Sequence, residues 1–493
     1  MEINQVSGLN VPDSTTRAQF SDGSSAEEFK GILSFLRTPP ALSKFRCTHS
    51  CAGTLDIREC RTIILQALVG QDLGITSAST LYSGWLFQHY ERLMAKFLST
   101  TLAGALNLDV SSTLNLLPLY RILAVIAREL CSSQASIHTA AIKVQTMLSG
   151  QAATDEVLTL EYYQCIFVFV SWLTMLYVAA DNPQPGMFQL QLPGSETARR
   201  AGSRIPQSIT WHHLRCDIIE SRENMAYLSI QHLMYQFGNF VPPPCRQLNK
   251  PARDLYEDYI ISTNLDYHTL SKVGHISIEW VDALSLHLEF HERSSVLRMF
   301  PFPSFCALLT QSETQTTFLS NLVVASGRQS QADDSIIASD LGECPYSVDF
   351  LLEILLTYRI IFAQNKNSRT GFQNIKPPEI LDPLLEALCS SSWIKSRYSA
   401  QLDLVDLKPM YSALSDFPLL GKRILALHDY MNAQNPSDIR TLWYDRRDVL
   451  RFYTFWAVFF VGGMSILLSA VQLGLTSVQV SQGIQAAKAS KGA

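Results

Sequence analysis

The chain has 493 residues, 47% of them hydrophobic and 17% charged, with a formal net charge of −5. That length has room for more than one ordinary domain, and the composition is globular with a membrane-leaning shortage of charge. There is no basic field for nucleic acid and no run of five like charges, which excludes nucleic acid as a partner and leaves no acidic tail or polybasic arm.

Residues 1–25 are rich in Ser, Asp, Thr and Gly and are expected to be disordered. The opening MEINQVSGLNVPDSTTRAQF is polar and does not read as a signal peptide. From Glu27 the chain becomes periodic, and residues 27–190 read as an N-terminal helical half. Apolar residues at helical spacing predict helices over 56–68, 79–102, 114–130, 137–148 and 156–180. Within the last of these, residues 162–180 (YYQCIFVFVSWLTMLYVAA) carry no charge over 19 positions. They read as the central helix of a large core, apolar all round because it is surrounded, with a second membrane span as the alternative.

Residues 191–206 hold Pro193, Gly194, Arg199, Arg200 and Pro206 and read as a loop between two halves. The C-terminal half, 207–431, is expected to carry helices over 208–237, 253–270, 347–362, 379–388 and 411–431, with a polar insertion at 327–343. One stretch departs from helix. HISIEW (275–280) and SVLRMF (295–300) suit short strands, and 282–290 fits a short helix or a strand. Strand, short helix, strand is the preferred order. The fold class is therefore mainly α: a large helical body with a small β element near 275–300, plus one C-terminal transmembrane helix.

After a linker over 432–451, residues 452–475 (FYTFWAVFFVGGMSILLSAVQLGL) form a charge-free run of 24, above the ~20 needed to cross a ~30 Å hydrocarbon layer. A short polar tail, 476–493, follows. Arg440, Arg446, Arg447 and Arg451 precede the run, whereas only Lys488 and Lys491 follow it, which favours a cytoplasmic N-terminal body. Trp443, Tyr444, Tyr453 and Trp456 cluster at the same end, where amphipathic rings settle among headgroups. The pattern describes a tail-anchored, single-pass protein with the lipid bilayer as a partner. The ten cysteines are dispersed and mostly on apolar faces, which suits reduced, buried thiols on the cytosolic side.

Motifs that carry chemistry are scarce. There is no GxxxxGK[ST], GxGxxG, GxSxG or HExxH, and no cofactor is implied. Cys47, His49, Cys51 and Cys60 (CTHSC-x8-C) come nearest to a zinc quartet, although three ligands are crowded onto one short run, and a loop with dispersed thiols is the simpler account. Trp211, His212, His213 and Cys216 read as a cap and a buried face. His287 and His291 in HLEFH stand at helical i, i+4 spacing, with Asp282 just before them, but the acid of the motif, Glu289, falls on another face. Ser465 and Ser469 give weak small-xxx-small spacing within the span.

Several stretches together resemble an uncharacterised family of filamentous-fungal proteins. They are DLGITSASTLYSGWL from Asp72, SWLTMLY from Ser171, ISIEWVDALSLHLEFHERSSVLRMFPFPSFC from Ile276, LLEILLTYRIIFAQNKNSR from Leu351 and LWYDRRDVLRFYTFWAVFFVGGMSILLSAVQL from Leu442. The resemblance implies a largely helical body with a C-terminal membrane segment and a fungal source, and no activity, cofactor or catalytic residue. The expected function is that of a membrane-anchored, non-catalytic interaction or adaptor protein with protein partners. The alternatives are an enzyme with a dispersed site near Asp282, His287 and His291, or a zinc-stabilised regulator using the Cys47 cluster.

Overall fold

A computed structural model of the chain describes residues 56–69, 77–106, 116–132, 135–150, 158–191, 218–220, 223–238, 240–242, 259–311, 346–377, 381–399, 402, 404, 406–434 and 449–490. The first helix, α1 (Ile57–Val69), starts where Asp56 and Glu59 exchange backbone-to-carboxylate hydrogen bonds of 3.1 and 2.8 Å, satisfying two of the donors that every helix start leaves orphaned. It buries Cys60, Ile63, Ile64, Ala67 and Leu68 along one stripe. That stripe lies against α3 (Leu117–Leu130), and α2 (Ser77–Leu98) and α4 (Ile137–Ser149) complete the surroundings of α5 (Leu160–Thr174). α4 is framed by a Ser136–Thr139 capping box and by Gly150 at φ 68°, a left-handed closing residue that suits glycine.

Every residue from Tyr162 to Thr174 in α5 is buried. At about 1.5 Å per residue its 15 residues also fall short of a ~30 Å hydrocarbon layer. The 162–180 stretch is a core helix followed by extended chain. It stops early because Met175 turns left-handed (φ 49°), its N–H still bonded to Ser171 O at 2.8 Å.

Strand β1 (Met187–Gln189) pairs antiparallel with β2 (Ile218–Glu220), followed by α6 (Glu223–Ala226) and α7 (Ile230–Phe237). β3 (Tyr259–Ile261) pairs with the distant β7 (Met410–Ser412), and α8 (Tyr267–Lys272) follows β3. These pairings correct three predicted helices, 208–237, 253–270 and 411–431. At each site a three-residue strand replaces a turn of helix, because hydrogen-bonding to a remote partner outweighs local propensity.

The β element near 275–300 is a three-stranded sheet in the order β4 (Ser277–Trp280), β6 (Val296–Met299), β5 (Phe290–His291). β4 runs parallel and β5 antiparallel to β6, with a 3₁₀ turn at Leu284–Leu286 between β4 and β5. Arg298 on the central strand is 7% exposed and binds Glu279 and Glu289, each at 3.0 Å, so a buried cation is paired on both sides.

The remaining body comprises α9 (Pro303–Leu309), α10 (Tyr346–Tyr358) with a π-helical continuation (Arg359–Ala363), α11 (Lys366–Asn374), α12 (Pro383–Leu388) and α13 (Gly421–Ala433). Buried residues from Cys60 to Met431 form one continuous core, so the segments on either side of 191–206 share it. Two buried carboxylates act as joints. Asp382 caps α12 through Leu384 N–H (2.8 Å) and grips α9 through Ser304 N–H and Oγ–H (2.7 and 2.6 Å). Glu353 on α10 accepts Leu419 and Leu420 N–H just ahead of α13.

At Gly371, α11 approaches α8 so closely that an added Cβ would overlap the Tyr267 ring. Gly371→Ala is expected to cost about 1–3 kcal/mol by overpacking, against the ~1 kcal/mol of helix propensity that alanine gains. Thermal melts of Gly371→Ala, Tyr267→Ala and the double variant check this; the double variant should be less destabilised than the sum of the singles.

The last helix, α14 (Val449–Ser490), is 42 residues long. Within it Tyr453–Ala487 is long and apolar enough to cross a membrane, and none of its apolar window is buried. Ser465, Ser469 and Thr476 return their hydroxyl protons to Val461, Ser465 and Gln472 carbonyls of the same helix, which hides their polarity.

Candidate functional site

A cleft of 560 Å³ opens beside α2, a size within the ~300–1,000 Å³ of ordinary ligand sites. One wall is a single face of α2: His89, Arg92, Leu93, Lys96 and Phe97 follow one another at three- and four-residue spacing. The other wall is the chain leaving α5, around Met175 to Asp181, together with the segment after β4, Val281 to Ala283. The two parts of that second wall are joined by Leu284 N–H to Met175 O (2.7 Å) and Ser285 N–H to Leu176 O (3.3 Å). Met175 pays a left-handed backbone for this, of order 1 kcal/mol for a residue with a Cβ, and its N–H and C=O are both held.

The floor is apolar, with Phe97, Trp172 and Phe302 prominent, and charge sits on the walls. Lys96 and Asp181 pair at 2.7 Å, with the Lys96 side chain 58% exposed, so the pair contributes only about 0–1 kcal/mol and is easily exchanged. Glu279 is held by Arg298.

His89 differs from these groups. It is 2% exposed, lies flat against Trp85 (ring centres 5.3 Å, planes 14° apart) and packs on Phe302 (4.4 Å). Its Nδ1 is 3.2 Å from Arg92 Nη2, and a guanidinium only donates, so Nδ1 accepts and the ring proton resides on Nε2. Burial, aided by the Arg92 charge, pushes its pKa down to about 3, which keeps the ring neutral at physiological pH. Nε2–H meets no acceptor among the described residues, and it is not among the polar atoms sealed away without a partner. Trp85, His89 and Phe302 form a mutually packed cluster of rings, and His89 lines the cleft with this donor still to be met.

The structure does not bring Asp282, His287 and His291 to one site. Asp282 is exposed and lines the cleft. His287 is fully buried: Phe300 N–H donates to Nδ1 (3.2 Å), so Nε2–H donates to Thr357 Oγ1 (2.8 Å), which in turn donates to Ile354 O (2.6 Å). Both ring nitrogens are used, and burial with the nearby Arg423 lowers the pKa to about 3. His291 accepts Ser294 N–H and Oγ–H at the surface, closing a 3₁₀ turn. The i, i+4 geometry fails because Leu288 is left-handed (φ 61°) and His291 lies in β5.

Of the Cys47, His49, Cys51 and Cys60 cluster, only Cys60 is described; it is buried in α1, and burial raises its thiol pKa. Cys47, His49 and Cys51 lie outside the described residues, as do Trp211, His212, His213 and Cys216. Residues 1–25, most of 191–206, the insertion at 327–343 and most of 432–451 also lie outside them. Among the described residues no three His, Cys, Asp or Glu side chains are grouped as metal ligands. At the flank of the apolar helix, Arg446 and Arg447 lie outside the described residues and Arg451 falls in the first turn of α14. Tyr453 is exposed, and Trp456 packs edge-on to Phe455 and Phe459 of its own helix.

Compared with protein-family models, with curated proteins and with solved structures, the chain matches none. His89 and Arg92 carry no motif that marks them in the sequence. The signal was present: His89 stands four residues after Trp85 and four before Leu93, on a face already read as apolar.

Proposed function

We propose that the chain is a single-pass membrane-anchored protein whose body works by binding, as an interaction or adaptor protein rather than a catalyst. One observation carries the reading: Tyr453–Ala487 is unburied throughout its apolar window, whereas the apolar faces of the body pack into one core. Val458, Phe459, Phe460, Val461, Ile466, Leu467 and Leu468 are all exposed. Covering a side chain of this kind contributes ~1.5–3 kcal/mol, so the helix as a whole forgoes tens of kcal/mol in water. A surface of that extent calls for lipid or a partner.

Arg440, Arg446, Arg447 and Arg451 on the body side support a cytoplasmic body. The free thiols of Cys60, Cys131, Cys165, Cys306 and Cys389 are consistent with a reducing compartment. Kinship with the filamentous-fungal family, which rests on the sequence stretches, belongs to the same proposal.

Fractionation tests it. The chain tagged at its N-terminus is expected in the membrane pellet, resistant to alkaline carbonate, and the chain lacking residues 452–493 in the supernatant. Carbonate-resistant pelleting of the truncated chain would overturn the anchor.

A further inference from the structure

We propose that the cleft beside α2 binds a monocarboxylate with an extended apolar body, the carboxylate accepting the Nε2–H of His89 next to the Arg92 guanidinium and the body lying on Leu93, Phe97, Trp172 and Phe302. Three observations converge. The first is a cavity of 560 Å³ with an apolar floor. The second is a histidine packed in an aromatic cluster, 2% exposed, whose one remaining donor has no acceptor among the described residues. Buried donors are almost always satisfied, and one left at a cavity wall costs ~1–3 kcal/mol that an incoming acceptor recovers.

The third is the sign of the surroundings. On the α2 wall the remaining His89 N–H and the Arg92 guanidinium donate, and Lys96, one turn further out, is paired with Asp181. The Arg92 cation beside that donor disfavours a cationic head and favours an anion, and a charge-assisted hydrogen bond is about twice as strong as a neutral one. Of the acids that line the cleft, Asp181 is paired with Lys96 and Glu279 with Arg298, and Asp282 stands exposed on the opposite wall. The proposal is independent of the membrane anchor, since no residue of α14 lines the cleft.

The test uses the full chain in nanodiscs of neutral phosphatidylcholine, with 11-(dansylamino)undecanoic acid as probe and empty nanodiscs as the blank. Saturable binding is expected, displaced by palmitate and not by methyl palmitate. Leu93→Trp, which fills the cleft one turn beyond His89, should abolish binding while leaving membrane fractionation unchanged. His89→Phe keeps the ring stack and removes the donor, and should weaken binding about tenfold or more. Should near-ultraviolet dichroism show that His89→Phe disturbs the core, Arg92→Met is the second variant, with a loss of about five- to tenfold expected. Wild-type affinity in both donor variants would overturn carboxylate recognition. Undiminished binding by Leu93→Trp would place the probe elsewhere and overturn the site.

Discussion

Asp382→Ala is expected to lower the unfolding free energy of the body by about 3–5 kcal/mol. The carboxylate is 0% exposed and accepts three hydrogen bonds, from Ser304 N–H, Ser304 Oγ–H and Leu384 N–H. Alanine leaves these donors unpaired in a space closed to water, and an unsatisfied buried donor costs ~1–3 kcal/mol. Relief from burying the carboxylate offsets part of this; that burial is also what raises its pKa to about 6. Asp382→Asn retains one acceptor oxygen and should fall between wild type and alanine. Urea denaturation of the full chain in nanodiscs, followed by tryptophan fluorescence, measures the series. An alanine variant within about 0.5 kcal/mol of wild type would contradict the role of Asp382 as a joint between α9 and α12.

Stability is expected to fall as pH rises from 6.5 to 8, with groups of opposite sign largely offsetting one another on the acid side. Burial raises Glu353 from 4.5 to about 8, even though three contacts from Leu419 and Leu420 N–H favour its charged form. Between these values the folded chain holds a proton that the unfolded chain has released, so stability falls as pH rises. His89 and His287 are lowered from 6.5 to about 3, so over that interval the unfolded chain holds more protons and stability rises with pH. Between about pH 4.5 and 6 the two histidines are opposed by Glu353 and by Asp382, raised to about 6, whereas Glu353 acts without them above pH 6.5. From pH 6.5 to 8 the loss amounts to about 2 kcal/mol at ~1.4 kcal/mol per pH unit. Glu353→Gln should flatten the fall between pH 6.5 and 8 and steepen the rise between about 4.5 and 6.5. An unchanged slope between pH 6.5 and 8 in that variant would remove Glu353 as its source.

Where local pattern and packing agree, the sequence was a reliable guide. α1, α3 and α4 end within a few residues of their predicted limits because apolar residues recur on one face and Pro, Ser136 and Gly150 mark the ends. α5 overshoots in the prediction because an element that is apolar all round has no stripe to lose at Met175. The strands β2, β3 and β7 were read as helix because three residues carry too little periodicity to reveal a partner far along the chain. α11 went unread because Phe372 and Ser368 are its only buried residues and its start is marked by Asn365 alone. The cleft was half legible. Asp282 drew attention through sequence neighbours that turn away from it, whereas the α2 wall needed the exit of α5 folded across it before His89 could be seen as an unfilled donor.

The length of α14 also has a mechanical consequence. At ~1.5 Å per residue the 35 residues of Tyr453–Ala487 extend about 52 Å, while hydrocarbon is ~30 Å deep. Matching the two by inclination alone would demand a lean of more than 50°, far beyond the ~20° usual for such helices. In a bilayer the surplus therefore emerges at the far surface as a stiff spur. If the near end is held at the headgroups by Tyr453 and Trp456, as the proposed anchor implies, thicker or thinner lipid is absorbed by how much of the spur protrudes.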